Sequence, residues 1–339
     1  IFMTADLVTG WAKVFLTPQR FSVSGVETYI LLPIVVAIFV STFTSMGGVS
    51  GAFLLVPFQV SFLNFTSPSV SATNHLFNVV AIPSGVYRYI REGRMNWPVT
   101  WVVILGTLPG VWLGALIRIR WLVDPRHFKL FLGSVLLYIG ARLLYEQTAL
   151  ARRQKGKILE FEDQVQARLQ QVLKEAGHTT GKGLPPAARV RTAAWNWRRI
   201  SYVFLGETFT FNAPALFLLS LAVGLIGGAY GIGGGAIMAP FLVAVFQLPV
   251  YTIAGSALTA TCITSVAGVI LFAALAPYYP QAGPVAPDWS LGLLFGLGGF
   301  VGMYTGARLQ RFFSAKLIRI GLGLVITGLA VRYITSFFF

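Results

Sequence analysis

Acidic side chains are scarce in this sequence. Only 11 Asp and Glu stand against 26 Lys and Arg, and charged residues of both signs make up 11% of the 339 residues, where a soluble domain carries about 25%. With 55% hydrophobic residues and a mean hydropathy of +0.72, the chain is excluded from the soluble globules and reads as a polytopic membrane protein. Carboxylates are missing from the middle of every predicted span: Glu27 and Asp288 fall at span edges, which disfavours a pump built on a buried acid. Cys262 is the only cysteine, so an internal disulfide and a cysteine-cluster metal site are both excluded. No catalytic constellation and no cofactor or metal motif is found, so an enzyme is not expected. A basic recognition module is also lacking, and most of the positive charge flanks apolar spans or sits in the central loop, as expected at an anionic membrane face rather than on nucleic acid.

What is present is a glycine run carried twice, Gly47-Gly48-Val49-Ser50-Gly51 and Gly231-Ile232-Gly233-Gly234-Gly235, each inside an over-long apolar segment and each followed by Pro-Phe, at Pro57-Phe58 and Pro240-Phe241. Glycine is a poor helix former, so each segment is expected to break into two half-helices at depth. Non-helical backbone at that depth is tolerated where protein buries it or where it lines a wet cavity. Half-helix N-termini there would present N–H groups and partial positive charge to an anion. Gly48, Gly51, Gly233, Gly234 and Gly235 would admit it closely, and Ser50 could cap its half-helix or donate its hydroxyl. The alternative for these glycines is tight helix packing.

Pro57 and Pro240 lie 183 residues apart, and the same offset relates Gly51 to Gly234 and Gly85 to Gly268. Later pairs drift to 192, as in Gly114 with Gly306. The expected fold is therefore all-α with two pseudo-symmetric repeats, each a broken or re-entrant segment plus three transmembrane helices. The boundaries read as an interfacial N-terminal segment at 1–28, repeat 1 at 29–147, a basic water-facing insert at 148–212 and repeat 2 at 213–339. Leu7, Trp11, Val14 and Phe15 suggest an amphipathic helix in the first segment. In the insert, Ile158, Phe161, Val165, Leu169 and Val172 suggest another, followed by a small hairpin over 189–211. No cleavable leader is visible, and the opening Ile1 leaves room for an upstream piece. Placing the loops at 88–94, 148–212 and 308–319 on one side satisfies the positive-inside bias if the repeats are inverted, leaving Arg118, Arg120, Arg126 and Lys129 in conflict.

Beside the first glycine run, Ser71, Asn74, His75 and Asn78 fall at i, i+3, i+4 and i+7 and form one polar stripe on an apolar helix. Such groups are costly in hydrocarbon, so the stripe should face protein or a cavity. Asn74, His75 and Asn78, with Ser256 and Thr259 on the related helix, are the side-chain candidates for substrate binding. His75 is also a candidate proton carrier, with a structural histidine as the alternative. Arg142 and Arg332, near the ends of the last spans, read as snorkelling side chains, with direct anion contact as the lesser alternative.

The runs Gly-Gly-Val-Ser-Gly-Ala-Phe-Leu-Leu-Val-Pro at 47–57 and Gly-Ile-Gly-Gly-Gly-Ala-Ile-Met-Ala-Pro at 231–240 resemble the sulfite exporter TauE/SafE family. The likeness covers residues 30–147 and 211–333. Only the second copy has the full glycine-rich form, and Asn74-His75 departs from its counterpart Ala257-Leu258. The resemblance implies a multi-pass permease of the bacterial inner membrane that moves small sulfur anions such as sulfite, sulfoacetate or other organosulfonates, usually outward. A passive anion channel and an importer of thiosulfate or sulfonate are the alternatives. Expected partners are the substrate anion and the lipid bilayer, with self-association as a homo-oligomer left open.

Overall fold

A computed structural model describes residues 17–46, 50–91, 93, 95–148, 164, 167–168, 170–172, 189–235, 237–309 and 315–338. The expected N-terminal amphipathic helix and Gly48 lie outside the described residues. So does most of the insert's amphipathic helix, of which residues 164, 167–168 and 170–172 are helical. Residues 17–28 are not helical: β1 (Gln19–Arg20) pairs antiparallel with β2 (Glu27–Thr28).

Ahead of the insert the chain forms α1 (Leu31–Met46), α2 (Ala52–Phe62), α3 (Ser69–Ala81), α4 (Pro83–Arg91), α5 (Trp97–Arg120) and α6 (Pro125–Tyr145). α3 ends at Ile82 and Pro83 opens α4. The basic stretch from Arg118 to Lys129 covers the last turn of α5, a short turn at 121–124 and the first turn of α6. Helix starts follow local chemistry. The Asn96 side chain accepts from the Val99 N–H at the head of α5, and Asp124 accepts from the Arg126 N–H ahead of Pro125.

The insert leads into a three-stranded antiparallel sheet, β3 (Arg191–Trp195), β4 (Arg199–Phe204) and β5 (Glu207–Asn212), in the order β3-β4-β5. It is one strand larger than the expected hairpin. Leu205 and Gly206, both at positive φ, make the tight turn between β4 and β5. Ile200, Tyr202 and Phe204 point inward, and the Tyr202 hydroxyl lies 2.8 Å from Thr252 Oγ1 while Phe204 stacks on Tyr251. Burial pushes the Tyr202 hydroxyl above the usual tyrosine range. After the sheet come α7 (Ala213–Tyr230), α8 (Met238–Ala244), α9 (Val250–Leu275), α10 (Trp289–Leu309) and α11 (Ala315–Phe338).

Five of the described helices are long and apolar enough to cross a bilayer: Trp97–Arg120, Pro125–Tyr145, Ala213–Tyr230, Tyr251–Tyr278 and Leu317–Phe338. Two helix pairs associate through the same glycine pattern. The α5 glycines Gly106 and Gly110 lie against Phe217 and Ser220, then Leu221 and Gly224, of α7. In the other direction, Gly298 and Gly302 of α10 lie against Ile34 and Ala37, then Ile38 and Ser41, of α1. Each partner in α7 is 183 residues beyond its counterpart in α1. Small residues every fourth position let these backbones approach closely, the usual basis of helix association in lipid.

The α5–α7 and α1–α10 pairs run parallel. The self-related pairs run antiparallel: Gly133 of α6 meets Tyr333 and Ile334 of α11 while Gly140 meets Thr327, and His75 of α3 meets Gly268 of α9 while Gly85 meets Leu258. The hairpin of α7 and α8 leaves β5 at Asn212 and returns to the sheet where α9 begins, beside Tyr202 and Phe204. The hairpin of α1 and α2 belongs to the opposite end, where Ser69 at the head of α3 bonds the Pro284 and Ala286 carbonyls and Asp288 at the head of α10 accepts from Ser24.

Candidate functional site

Both glycine runs interrupt helices as expected. Helix α7 stops at Gly231, whose φ of +90° is left-handed, and Gly233 follows at +77°. These are backbone conformations that a side chain strains. The Gly231 and Ile232 N–H groups fold back to the Gly227 carbonyl and close the helix end. In the first run, Ser50 Oγ accepts from the Ala52 N–H at 3.3 Å, the N-cap position of α2 is Gly51 rather than Ser50, and Gly51 is buried against Ser41 and Phe77.

The two interruptions meet at α3. Asn74 Nδ2 donates to the Ala52 carbonyl at 3.2 Å and to the Gly231 carbonyl at 2.9 Å, one amide spanning both. One turn on, Asn78 Nδ2 donates to the Ile232 carbonyl at 3.0 Å and to Ser265 Oγ at 3.2 Å. Ser71 Oγ bonds the Ala229 carbonyl, and Tyr230 of α7 reaches the Phe53 carbonyl at the start of α2. From the other side, Thr264 Oγ1 of α9 accepts from the Gly234 N–H at 3.0 Å. Ser71, Asn74, His75, Asn78, Thr264 and Ser265 are all fully buried. The polar stripe thus faces protein, and its amide donors satisfy the backbone carbonyls that the interruptions free.

What remains free in this cluster is mostly acceptor. Among the described residues, Asn74 Oδ1, Asn78 Oδ1 and His75 Nε2 are buried without a hydrogen-bond partner. His75 Nδ1 lies 3.4 Å from Ser265 Oγ, its ring is 6.1 Å from that of Phe272, and Gly268 leaves room for the imidazole.

Of the residues singled out in the sequence, Ser50, Gly51, Asn74, His75, Asn78, Gly233, Gly234 and Gly235 gather at this centre. Ser256 and Thr259 turn elsewhere, toward the head of α5: Ser256 Oγ bonds the Asn96 carbonyl and the Thr100 hydroxyl, and Thr259 bonds the Gly255 carbonyl and Met95 Sδ. The α9 residues that do reach the second break are Thr261, Thr264 and Ser265, with Thr107 of α5 against Gly234. Their i, i+3, i+4 spacing was the available signal, masked by the many other hydroxyls in the same helix. Arg142 is taken up by Glu146 at 3.2 Å and by the Phe241 ring. The conflicting Arg118 is buried, bonding the Thr66 and Leu122 carbonyls over the Phe128 ring, and Arg120 bonds the Tyr279 hydroxyl.

Membrane-length helices around two interrupted hairpins that share a buried polar centre define a multi-pass membrane protein of the permease type. The family model of the sulfite exporter TauE/SafE family matches residues 33–333, so the chain belongs to that family, which is one of membrane transporters and not of enzymes. The chain is also similar, at 21% identity over 295 residues, to the "Probable membrane transporter protein YunE" of Bacillus subtilis (strain 168), with 84% of this chain and 90% of that protein covered. No solved structure matches the chain.

Proposed function

We propose that the protein is a secondary transporter that carries small sulfur-containing anions, such as sulfite, sulfoacetate or other organosulfonates, outward across the bacterial inner membrane. Its two repeats are inverted, with one re-entrant hairpin entering from each side. The antiparallel self-related pairs support this arrangement, because a two-fold axis lying in the membrane plane reverses a helix against its mate. The observation that supports the transport reading is that the single Asn74 amide bonds one carbonyl beside each interruption, Ala52 and Gly231.

In the closed arrangement the Asn74 and Asn78 donors are committed to carbonyls, and their free oxygens would repel an anion. Moving one hairpin against the other would release those donors. The substrate then takes them, together with break N–H groups, the Ser50 hydroxyl and the His75 N–H. Exchange of donors between backbone and substrate links binding to movement, since a ligand shifts such an equilibrium only by its differential affinity for the two states. In this scheme His75 is the group that carries a proton.

The test is counterflow in proteoliposomes with sulfite, thiosulfate, sulfoacetate, taurine and sulfate, preceded by a thermal-shift screen, because a ligand of the native state raises its apparent stability. Saturable flux accelerated by trans substrate is expected for at least one sulfur anion. Flux that neither saturates nor responds to trans substrate would make the protein a channel, and no flux or stabilisation with any of these anions would overturn the substrate class.

A further inference from the structure

A cavity of about 240 Å³ opens at the sheet end of the protein, lined by Ile90, Gly93, Met95, Trp97, Arg189, Val190 and Arg191. It lies between the α4–α5 turn and the start of β3, well away from the glycine breaks. We propose that it is a second binding site, for an oxyanion that carries an apolar body: a sulfonate or phosphate head on a short hydrophobic portion.

Two guanidinium groups line one side. Arg189 lies across Gly93, whose φ is +72°, at a distance where a Cβ on residue 93 would crowd its side chain at 3.2 Å. Arginine suits sulfonate and phosphate because its planar fork presents several donors at once. Ile90, Val190, Met95 and Trp97 form the apolar remainder.

Behind the cavity wall, Asn96 is fully buried at the head of α5. Its Oδ1 is fixed by capping α5, and its backbone carbonyl takes the Thr100 and Ser256 hydroxyls. Thr259 reaches Met95 Sδ, so Ser256 and Thr259, which the sequence assigned to substrate binding, are gathered beneath this cavity rather than at the breaks.

The head group has two sources, a soluble organosulfonate or an anionic lipid, and Trp97 at the head of a membrane-length helix suits either. The experiment uses the full chain in nanodiscs and follows the part of the tryptophan emission that Trp97→Phe removes. One arm titrates ethanesulfonate in phosphatidylcholine discs, and the other compares phosphatidylglycerol with phosphatidylcholine discs without sulfonate. A saturable change is expected in at least one arm, and the arm that responds names the source.

In that arm, Arg189→Gln with Arg191→Gln should weaken binding by about tenfold or more. Gly234→Leu, at the breaks, should leave it unchanged, so loss of central transport and loss of this site are read separately. Silence in both arms, or a response that the folded double-arginine variant leaves intact, overturns the proposal.

Discussion

The same pattern of glycines, proline and phenylalanine is built into both repeats, yet the helix beside each break meets it differently. In repeat 1, α3 stands far enough from α2 for Asn74 to place its amide on the Ala52 carbonyl, and residue 52 has room for a methyl group. In repeat 2 the position 183 residues on from Asn74 is Ala257, and the one 183 on from Ala52 is Gly235. There the α9 backbone itself fills the space, since a Cβ on Gly235 would run into the Ala257 carbonyl. Repeat 1 therefore uses a side chain where repeat 2 uses direct backbone contact. The departure of Asn74-His75 from Ala257-Leu258 follows: α9 leaves no room for an asparagine, and α3 serves both breaks.

The largest effect is expected where that close approach is violated. Gly235→Ala adds only a methyl group, but its neighbours are backbone and Thr261, which cannot rotate away. Overpacking of this kind costs about 1–3 kcal/mol, and the second break should lose its geometry. The reciprocal change, Ala52→Gly, removes a methyl from a position that tolerates one. Transport should fall to background in Gly235→Ala and survive in Ala52→Gly, with the fall in apparent melting temperature clearly larger for the former. Equal behaviour of the two variants would dissolve the asymmetry. Gly234→Leu, which drives a side chain into Thr107, should abolish transport altogether.

Next comes the bridging amide. Asn74→Ala removes the donor from the Gly231 carbonyl, which lies outside any helix, at about 1–3 kcal/mol, while the Ala52 carbonyl keeps its place in the α2 ladder. Thr264→Val, which keeps the shape, strips the acceptor from the Gly234 N–H alone. Thermal unfolding in detergent should rank Asn74→Ala as more destabilising than Thr264→Val. Sulfur-anion affinity should weaken in both Asn74→Ala and His75→Ala. Wild-type affinity in a folded double variant would remove the stripe from the binding site.

Much of this architecture was legible in the residues. Composition alone fixed the solvent, because 11% charged residues cannot clothe a soluble surface. The paired glycine runs located the interruptions, and the i, i+3, i+4, i+7 spacing put Ser71, Asn74, His75 and Asn78 on one inward face. Less legible was what the stripe would bond. Hydrogen-bond donors in a membrane are drawn to whichever carbonyl is freed nearby, and the carbonyls of Gly231 and Ile232 lie more than 150 residues away in sequence. The roles of Ser256 and Thr259 were misassigned for a related reason. Hydroxyls recur around the whole circumference of α9, and only the neighbours α5 and α8 decide which of them meet a break. The third strand of the insert sheet was hidden too, since β3 is exposed along its length and lacks the apolar alternation that marks β4.

The smallest effect should fall on glycines that belong to neither close approach. Gly328 in α11 has nothing within 4 Å of where a Cβ would sit, whereas Gly140 of the facing helix meets the backbone of Thr327 at 3.0 Å. Both are helical, so alanine at either site gains roughly 0.5–1 kcal/mol from backbone entropy. At Gly328 that gain is unopposed, and the apparent melting temperature should stay level or rise slightly with transport unchanged. At Gly140 the contact with α11 outweighs it, and stability should fall. A fall at Gly328 equal to that at Gly140 would mean that glycine serves helix α11 through its conformation rather than through contact between the last helices of the two repeats.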